Sequence, residues 1–521
     1  MNPKVCILAA GNGIRMGHYS KIINKALLPV NRKAVISHII EKFPADSEFV
    51  IAVGYKSGQV RDYLSIAHPG HKFTFVEVTK FEGPGSGPGL SVSYCKEVLS
   101  SDFYLVCCDT LWIEDIKKFP TTGNWMATAS SSVADSANYC NVSITDGNVS
   151  ALHDKQAIDS EIIWSFTGLL FIKDFELFFK GLDSAQLIKN EKQISSGLEE
   201  MIKLGLLKSY SISWTDVGTK EKYIKELKKH ENYDFSKADE FIYVLRERIV
   251  KFFQNPEIAE LRVKKAKINP AIFPSIEAHK NCFYSYPYLP GETLYKHSEV
   301  EVFCKFLNWL KQEVWLKKDI DSARLRDLCE KFYFQKTAQR LSLFELKYPG
   351  QEPNCINGVE IPSARELLTQ LDWHFLYEGS AFFIHGDLQP DNVIYDKSSG
   401  NFKLIDWRQE FAGQIEFGDI YYDLAKLLGG LNLNYDQIKL NKFEYSESSE
   451  GCKFKFPKHT FFDETQKILK DYIAEQGYYY EKVEILMGLV YLNMSPLHQF
   501  PFDKLLHSLG REILFSHQKI N

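Results

Sequence analysis

"FFIHGDLQPDNVIYD", residues 382–396, sets His385, Asp387, Asp391 and Asn392 between two hydrophobic runs. Phosphoryl transfer asks for such a set: one carboxylate to orient a hydroxyl, with an amide and a second carboxylate to hold Mg²⁺. Asn392 follows Asp387 by five positions, and fourteen further on Asp406 closes a strand-like run in "FKLIDWR". The chain also opens with a second phosphate-handling loop, "LAAGNGIRMG" at 8–17. There a strand runs into glycines: Gly11 and Gly13 let backbone N–H groups approach a triphosphate, and Arg15 adds a planar cation.

The rest of the composition bounds the reading. A chain of 521 residues exceeds one ordinary core and predicts two to four domains. The hydrophobic fraction of 45% and charged fraction of 25% are those of a globular protein, and the net charge of −5 is small for this length. No Lys/Arg block is dense enough to point to nucleic acid. "KVCILAAGN" reads as a buried strand, too short for a signal-peptide core, and no apolar run approaches the length of a membrane span. The ten cysteines are scattered, and no CxxC pairs with another or with a His pair. Reduced thiols in a cytoplasmic protein without membrane or nucleic-acid partners are the expectation.

Residues 1–230 alternate strand-like runs ("KVCILAAG", "EFVIAVG", "KFTFVEV", "DFYLVCCD") with amphipathic stretches such as "AVISHIIEKF" and "SGQVRDYLSIA". That alternation predicts an α/β domain, a mainly parallel sheet with helices on both faces. Ligands of such sheets sit at the carboxyl ends of strands, where Gly11 and Asp109 fall. A charged, turn-rich "KKHENYDFS" at 228–236 marks the boundary. Beyond it, "DEFIYVLRERIVKFF" reads as a pair of strands, "PEIAELRVKKAK" as a helix opening at Pro256, and "NCFYSYPYLPGETL" as a strand and a crossing. From about 298 amphipathic helices dominate, interrupted by the motif strands at 382–406.

Four further features join the first loop. Lys25 in "NKALLPV" is a second cation for phosphate, "CCDT" sets Asp109 at the end of a buried strand, and "WTDVGT" offers Asp216 beside Gly218. "EGPGSGPGLS" at 82–91 lets backbone groups meet a base edge and ribose. This ordered series, over about residues 3–225, resembles the sugar-1-phosphate and phosphocholine nucleotidyltransferases. The resemblance implies a Rossmann-like domain in which Ala10, Gly11, Gly13, Arg15, Lys25, Gly85 and Gly87 bind a nucleoside triphosphate. It implies Mg²⁺ on Asp109 and Asp216, and an acceptor phosphate on Lys155, at the end of the strand "NVSALHDKQ". Arg15 and Lys25 also carry catalytic roles there, since two anionic reactants meet. The glycine-rich 82–91 loop departs from that expected of phosphocholine enzymes.

The second set, "HGDLQPDN", Asp406 and the helix "FGDIYYDLAKLL", resembles the aminoglycoside phosphotransferase and choline kinase family, strongly over about 380–428 and more loosely over 235–300. The implied fold is a two-lobed, protein-kinase-like α+β domain over 231–521, with a small lobe at about 235–290 and a large helical lobe at 291–521. Carried over residue by residue, Asp387 is the catalytic base, and Asn392 and Asp406 are magnesium ligands. Lys251 in "RIVKFF" is the strand lysine for ATP phosphates, and Tyr286 and Tyr288 lie at the adenine. His385, Asp419 and Asp423 read as bracing residues. No glycine-rich loop precedes Lys251; Ser236 and Lys237 stand where it belongs, and Glu260 is a candidate partner for Lys251.

A kinase makes a phosphomonoester and a nucleotidyltransferase consumes one. The joined resemblance therefore implies a bifunctional enzyme: ATP phosphorylates a small alcohol, and a second nucleotide, CTP favoured, converts the product to an activated CDP-alcohol with loss of pyrophosphate. Cell-surface glycan or lipid decoration is the implied destination. Two alternatives stand beside it, a sugar kinase joined to an NDP-sugar pyrophosphorylase, and a chain with one half serving only for binding or regulation. Arg408, two positions after Asp406, argues against a cationic acceptor if it faces the pocket.

Overall fold

"KVCILA" has no polar face to offer solvent, and the strand it forms, Lys4–Ala9, lies inside a nine-stranded sheet. In the computed structural model the described residues are 2–230, 239–458 and 460–518. Contacts divide the chain into two compact units, residues 1–230 with 241–254, and residues 231–240 with 255–521.

In the first unit the strands run in the order Lys72–Glu77, Glu48–Val53, Lys4–Ala9, Phe103–Cys107, Ile163–Ile172, Asn124–Ser131, Leu207–Ser211, Asn148–Asp154, Cys140–Thr145. The first four are mutually parallel, as the strand–helix alternation predicts. Beyond Phe103–Cys107 the sheet is mixed, because Ile163–Ile172 runs antiparallel to both its neighbours. One connection here is a hairpin turn in place of a helix. Asp146 and Gly147, both at positive φ, make the two-residue turn that pairs Thr145 with Asn148.

Both faces of the parallel half are covered. Cys6 and Leu8 join a buried cluster with Val92, Phe178, Phe179 and Met201, while Val5 and Ile7, pointing the other way, are equally buried. Full burial explains why these strands read as continuous apolar runs instead of alternating ones.

The strands Glu240–Val244 and Arg248–Phe253 occupy the predicted pair of strands. Residues 241–254 group with the first unit, and their hydrogen bonds account for it: Val244 N–H to the Arg32 carbonyl (2.7 Å), Tyr243 OH to the Leu27 carbonyl (2.8 Å) and Arg248 to the Ile66 carbonyl (2.9 Å). The second domain expected from residue 231 is therefore described from Asn255 onward, apart from residues 239 and 240. Ser236 and Lys237 lie outside the described residues.

The second unit is mostly helical. Pro256–Ile268 starts at an Asn255 cap with Pro at its first turn, followed by the antiparallel strands Ala278–Lys280 and Phe283–Pro287. A hairpin, Val393–Asp396 with Asn401–Leu404, carries the motif region. Phe402 of this hairpin meets Phe306 and Trp309 of the helix Val300–Trp309, and the remaining helices include Lys336–Lys347, Ile420–Asn432, Tyr480–Met494 and Phe502–Ser516. Ile420–Asn432 is buried almost all round, so it forms the spine of this unit. Among the described residues no helix is long and apolar enough to cross a membrane.

Candidate functional site

The first cluster forms where adjacent parallel strands end. Leu8 lies opposite Cys107, so the loop starting at Ala10 and the turn bearing Asp109 leave the sheet side by side. Gly13, at φ +63°, opens the short turn Ile14–Met16 that carries the exposed Arg15. A small antiparallel ribbon, Thr110–Trp112 with Trp214–Asp216, pairs Thr110 with Asp216 and so brings the second aspartate to the first.

Gly218 shows how tightly these carboxylates converge. A Cβ there would lie 2.8 Å from Asp109 Oδ2 and 2.9 Å from Asp216 Oδ1. The Gly218 N–H donates to Asp216 Oδ1 at 2.8 Å. Lys25 Nζ sits 2.6 Å from Asp109 Oδ2. Burial alone would raise the Asp109 carboxyl, yet the Lys25 charge and hydrogen bond, aided by Arg15, hold it below the ordinary carboxylate range. Tyr139 OH donates to Asp216 Oδ2 at 2.7 Å, and Lys222 Nζ reaches the same oxygen at 2.9 Å. Burial, then Asp216, pushes the Tyr139 phenol well above its usual range, so it remains a donor at neutral pH.

Lys155 Nζ pairs with Glu191 Oε2 at 2.6 Å, and Arg15 also acts on that glutamate. The glycine-rich loop is stitched to the same segment. Gly85 N–H donates to the Asn190 carbonyl (2.7 Å), and Lys192 N–H to the Ser86 carbonyl (2.8 Å). At Gly87, φ +124°, a Cβ would fall 2.6 Å from the Lys192 carbonyl oxygen, so no side chain fits. The structure thus gathers Arg15, Lys25, Asp109 and Asp216 beside the Ala10–Gly13 loop, with Lys155, Gly85 and Gly87 placed around Glu191 and its neighbours. Sequence reading missed Tyr139, Lys222 and Glu191. Lys222, six positions after Asp216 on the following helix, was the most legible of them.

Among the described residues no group of three or more His, Cys, Asp or Glu side chains gathers as a metal cage. Two converging carboxylates fit Mg²⁺, which takes one or two from the protein and completes its shell with water and substrate phosphate oxygens.

In the second unit Asp387 meets a cation that the motif did not announce. Lys426 Nζ lies 2.6 Å from Asp387 Oδ1. Burial works against the Lys426 charge, but the adjacent carboxylate holds its ammonium above the ordinary range. Asn392 Nδ2 donates to the Asp387 carbonyl at 2.8 Å, which leaves its amide oxygen as an acceptor. Ile405 N–H donates to the Asn392 carbonyl at 2.9 Å, tying that residue to the strand end carrying Asp406. Asp406 holds a left-handed backbone (φ +56°), and the Arg262 guanidinium stands 4.0 Å from its carboxylate.

The loop is held from beneath. Asp423 accepts the N–H groups of His385 (2.8 Å) and Gly386 (2.7 Å). His385 accepts from the Asp387 N–H at Nδ1 (3.2 Å), so Nε2 carries the proton to the Ile405 carbonyl (2.9 Å). Burial pushes its pKa down to about 3, so the ring is neutral throughout the working range. Asp419 caps the helix Ile420–Asn432 and accepts from Tyr333 OH at 2.8 Å.

Lys251 is buried in the strand Arg248–Phe253, within the stretch grouped with the first unit. Tyr286 is buried and Tyr288 is exposed. Glu260 pairs with Lys264 on its own helix at 2.6 Å.

Residues 5–116 match the family model described as the MobA-like NTP transferase domain, and residues 270–439 match that of the phosphotransferase enzyme family, APH. The chain joins a MobA-like NTP transferase domain to an APH phosphotransferase domain. The chain is similar to the bifunctional protein GlmU of Methanocaldococcus jannaschii, 28% identical over 218 residues, covering 41% of this chain and 50% of that protein. It is also similar to that of Methanococcus vannielii, 27% identical over 223 residues, covering 41% and 51%. The chain spans about half the length of these curated relatives.

Among solved structures, a UDP-glucose pyrophosphorylase complexed with UDP-glucose aligns at TM-score 0.39 and 19% identity, covering 44% of this chain and 98% of that one. The CTP:phosphocholine cytidylyltransferase from Streptococcus pneumoniae aligns at TM-score 0.35 and 20% identity, covering 44% and 99%. The NTP transferase match contains Ala10, Gly11, Gly13, Arg15, Lys25 and Asp109, and the APH match contains Asp387, Asn392, Asp406 and Lys426.

Proposed function

We propose that the chain is a bifunctional enzyme in which the APH domain phosphorylates a small alcohol with ATP and the NTP transferase domain then activates the phosphoester. One observation supports this most: each unit has its own lysine-paired aspartate, Lys25 on Asp109 and Lys426 on Asp387, set beside other groups suited to phosphate chemistry.

In the kinase step the acceptor hydroxyl oxygen bonds to the γ-phosphorus as the β,γ-bridging bond breaks. The hydroxyl proton passes to Asp387 and ADP leaves. Lys426 orients Asp387, Asn392 and Asp406 hold Mg²⁺, and Tyr286 and Tyr288 contact ATP. In the transfer step an oxygen of the phosphoester bonds to the α-phosphorus of the second nucleotide and pyrophosphate leaves. The Ala10–Gly13 loop, Arg15 and Lys25 bind the triphosphate, Gly85 and Gly87 meet base and ribose, and Lys155 exchanges Glu191 for the acceptor phosphate. Asp109 and Asp216 hold Mg²⁺, which when bound neutralises phosphate charge at either centre. The attacking phosphoester oxygen is already anionic, so the transfer step requires no proton-transfer group.

CTP is the favoured second nucleotide and an activated CDP-alcohol for glycan or lipid decoration in the cytoplasm the favoured product, a reading supported by the small size of the transferase unit. Screening alcohols with ATP, Mg²⁺ and each of CTP, UTP and GTP, while reading ADP and pyrophosphate, tests it. The expected result is alcohol-dependent ADP followed by CTP-dependent pyrophosphate. UTP or GTP preference with a sugar would instead support an NDP-sugar product, and absence of ADP with every acceptor would leave the APH unit without its proposed activity.

A further inference from the structure

Beside Asp387 the APH unit assembles more positive charge than one base requires. Lys336 and Arg340 lie one turn apart on the helix Lys336–Lys347, sharing a face. Their charges act on each other and on Arg408, those of Arg408, Lys426 and Asp387 act on Lys336, and the Asp239 carboxylate acts on Arg340 from beyond ion-pair distance. Asp387 answers only one of these cations at ion-pair distance, Lys426 at 2.6 Å. Among the described residues Lys336, Arg340 and Arg408 have no carboxylate partner within ion-pair distance, and Arg408 Nε donates instead to the Glu410 backbone carbonyl at 3.0 Å. Like charges one turn apart destabilise a helix, and ring contacts of Lys336 and Arg408 offset part of that cost.

The aromatic rings here point the same way. A quaternary ammonium substrate would need open ring faces. Phe332 is already covered by Lys336 Nζ at 4.0 Å and by the Arg408 guanidinium at 4.9 Å, and it stacks on Phe411 at 4.2 Å. Lys336 also stands 5.5 Å over Tyr422. The protein's own cations already cover the ring faces that a choline-like headgroup would need here.

We infer that the acceptor alcohol of the APH unit carries a negative group, a carboxylate or a phosphate, held by Lys336, Arg340 and Arg408 while its hydroxyl faces Asp387. This rests on the kinase reading of Asp387 and narrows its substrate class. Burial, then Arg408, Lys426 and Arg340, pushes the Lys336 ammonium well below its ordinary range, which is the crowding that an anion would relieve.

The test is calorimetric titration of the full chain, with Mg²⁺ and a non-hydrolysable ATP analogue present, using glycerate and glycerol phosphate against glycerol and choline. At least one anionic probe is expected to bind roughly tenfold or more tightly than both others, and the stronger arm tells carboxylate from phosphate. Lys336→Met with Arg340→Gln should weaken that probe roughly ten- to hundredfold and leave the ATP analogue within about twofold. Lys336→Arg with Arg340→Lys, preserving charge, should retain most of the binding.

Equal or tighter binding of glycerol or choline, no binding of either anion, or loss of the ATP analogue in the first double variant overturns the inference. The two readings fail separately. Anion binding without ATP-dependent phosphorylation of any acceptor removes the kinase reading, whereas phosphorylation of neutral or cationic alcohols in preference removes only the anionic acceptor.

Discussion

Gly218→Ala probes the transferase centre with the smallest possible perturbation. The new methyl would meet Asp109 Oδ2 at 2.8 Å and Asp216 Oδ1 at 2.9 Å, whereas ordinary contact begins at 3.4 Å. Each carboxylate must therefore move by roughly half an ångström, and neither is free to do so cheaply. Asp109 is held by Lys25 at 2.6 Å, and Asp216 by Tyr139 at 2.7 Å and Lys222 at 2.9 Å. Misplacement by about 1 Å at a reacting centre costs on the order of a hundredfold, so two half-ångström displacements predict a loss of about ten- to hundredfold in nucleotidyl transfer. Crowding should also cost about 1–3 kcal/mol of stability in the first unit. The assay is pyrophosphate release at saturating nucleotide and phosphoester, with ADP release by the APH unit as an internal control. Wild-type pyrophosphate release from a folded Gly218→Ala protein would refute the convergence of Asp109 and Asp216 on one substrate-bearing centre.

Three further outcomes follow from neighbouring contacts. Tyr139→Phe removes the hydrogen bond to Asp216 and the hydroxyl that Lys222 Nζ also meets, while Lys222 keeps its own contact with Asp216, so transfer should fall by roughly tenfold in a pyrophosphate assay while kinase turnover is unchanged. Lys426→Met strips Asp387 of its counter-charge, and kinase kcat should drop about a hundredfold in an ADP assay with transfer intact. His385 has a folded pKa of about 3 against 6.5 unfolded, so between these values the unfolded chain binds the extra proton. Its contribution is complete above pH 6.5 and is lost as pH falls towards 3, by about 1.4 kcal/mol per pH unit. Denaturant titrations of wild type and His385→Gln should therefore differ in slope by about one proton between pH 5 and 6.

The parts of the fold written in local periodicity were legible. Continuous apolar runs announced the parallel half of the transferase sheet, and Pro256 announced a helix start. The antiparallel half was also marked, by Asp146-Gly147 between two strand-like runs, but a turn of two residues is easily lost inside an expectation of strand–helix alternation. Among site residues, each motif supplied the groups that sit at strand ends and tight loops. Their counter-charges come from elsewhere. Lys222 and Lys426 lie on helices whose sequences look like ordinary amphipathic or buried segments, and Glu191 lies in a loop with no motif. Lys426 had one signal, since it follows Asp423 by three positions and so shares its helix face. The cation cluster had none, because Lys336 and Arg340 meet Arg408 only through the fold.

The central claim is that two independent phosphate-handling centres serve consecutive reactions, and reciprocal inactivation tests it most directly. Asp387→Ala and Asp109→Ala are each assayed for ATP-dependent ADP formation with alcohol and for pyrophosphate release with supplied phosphoester. The account predicts that Asp387→Ala loses only the first activity and Asp109→Ala only the second, each by at least about a hundredfold. Loss of both activities in either folded variant, or of neither, would contradict it.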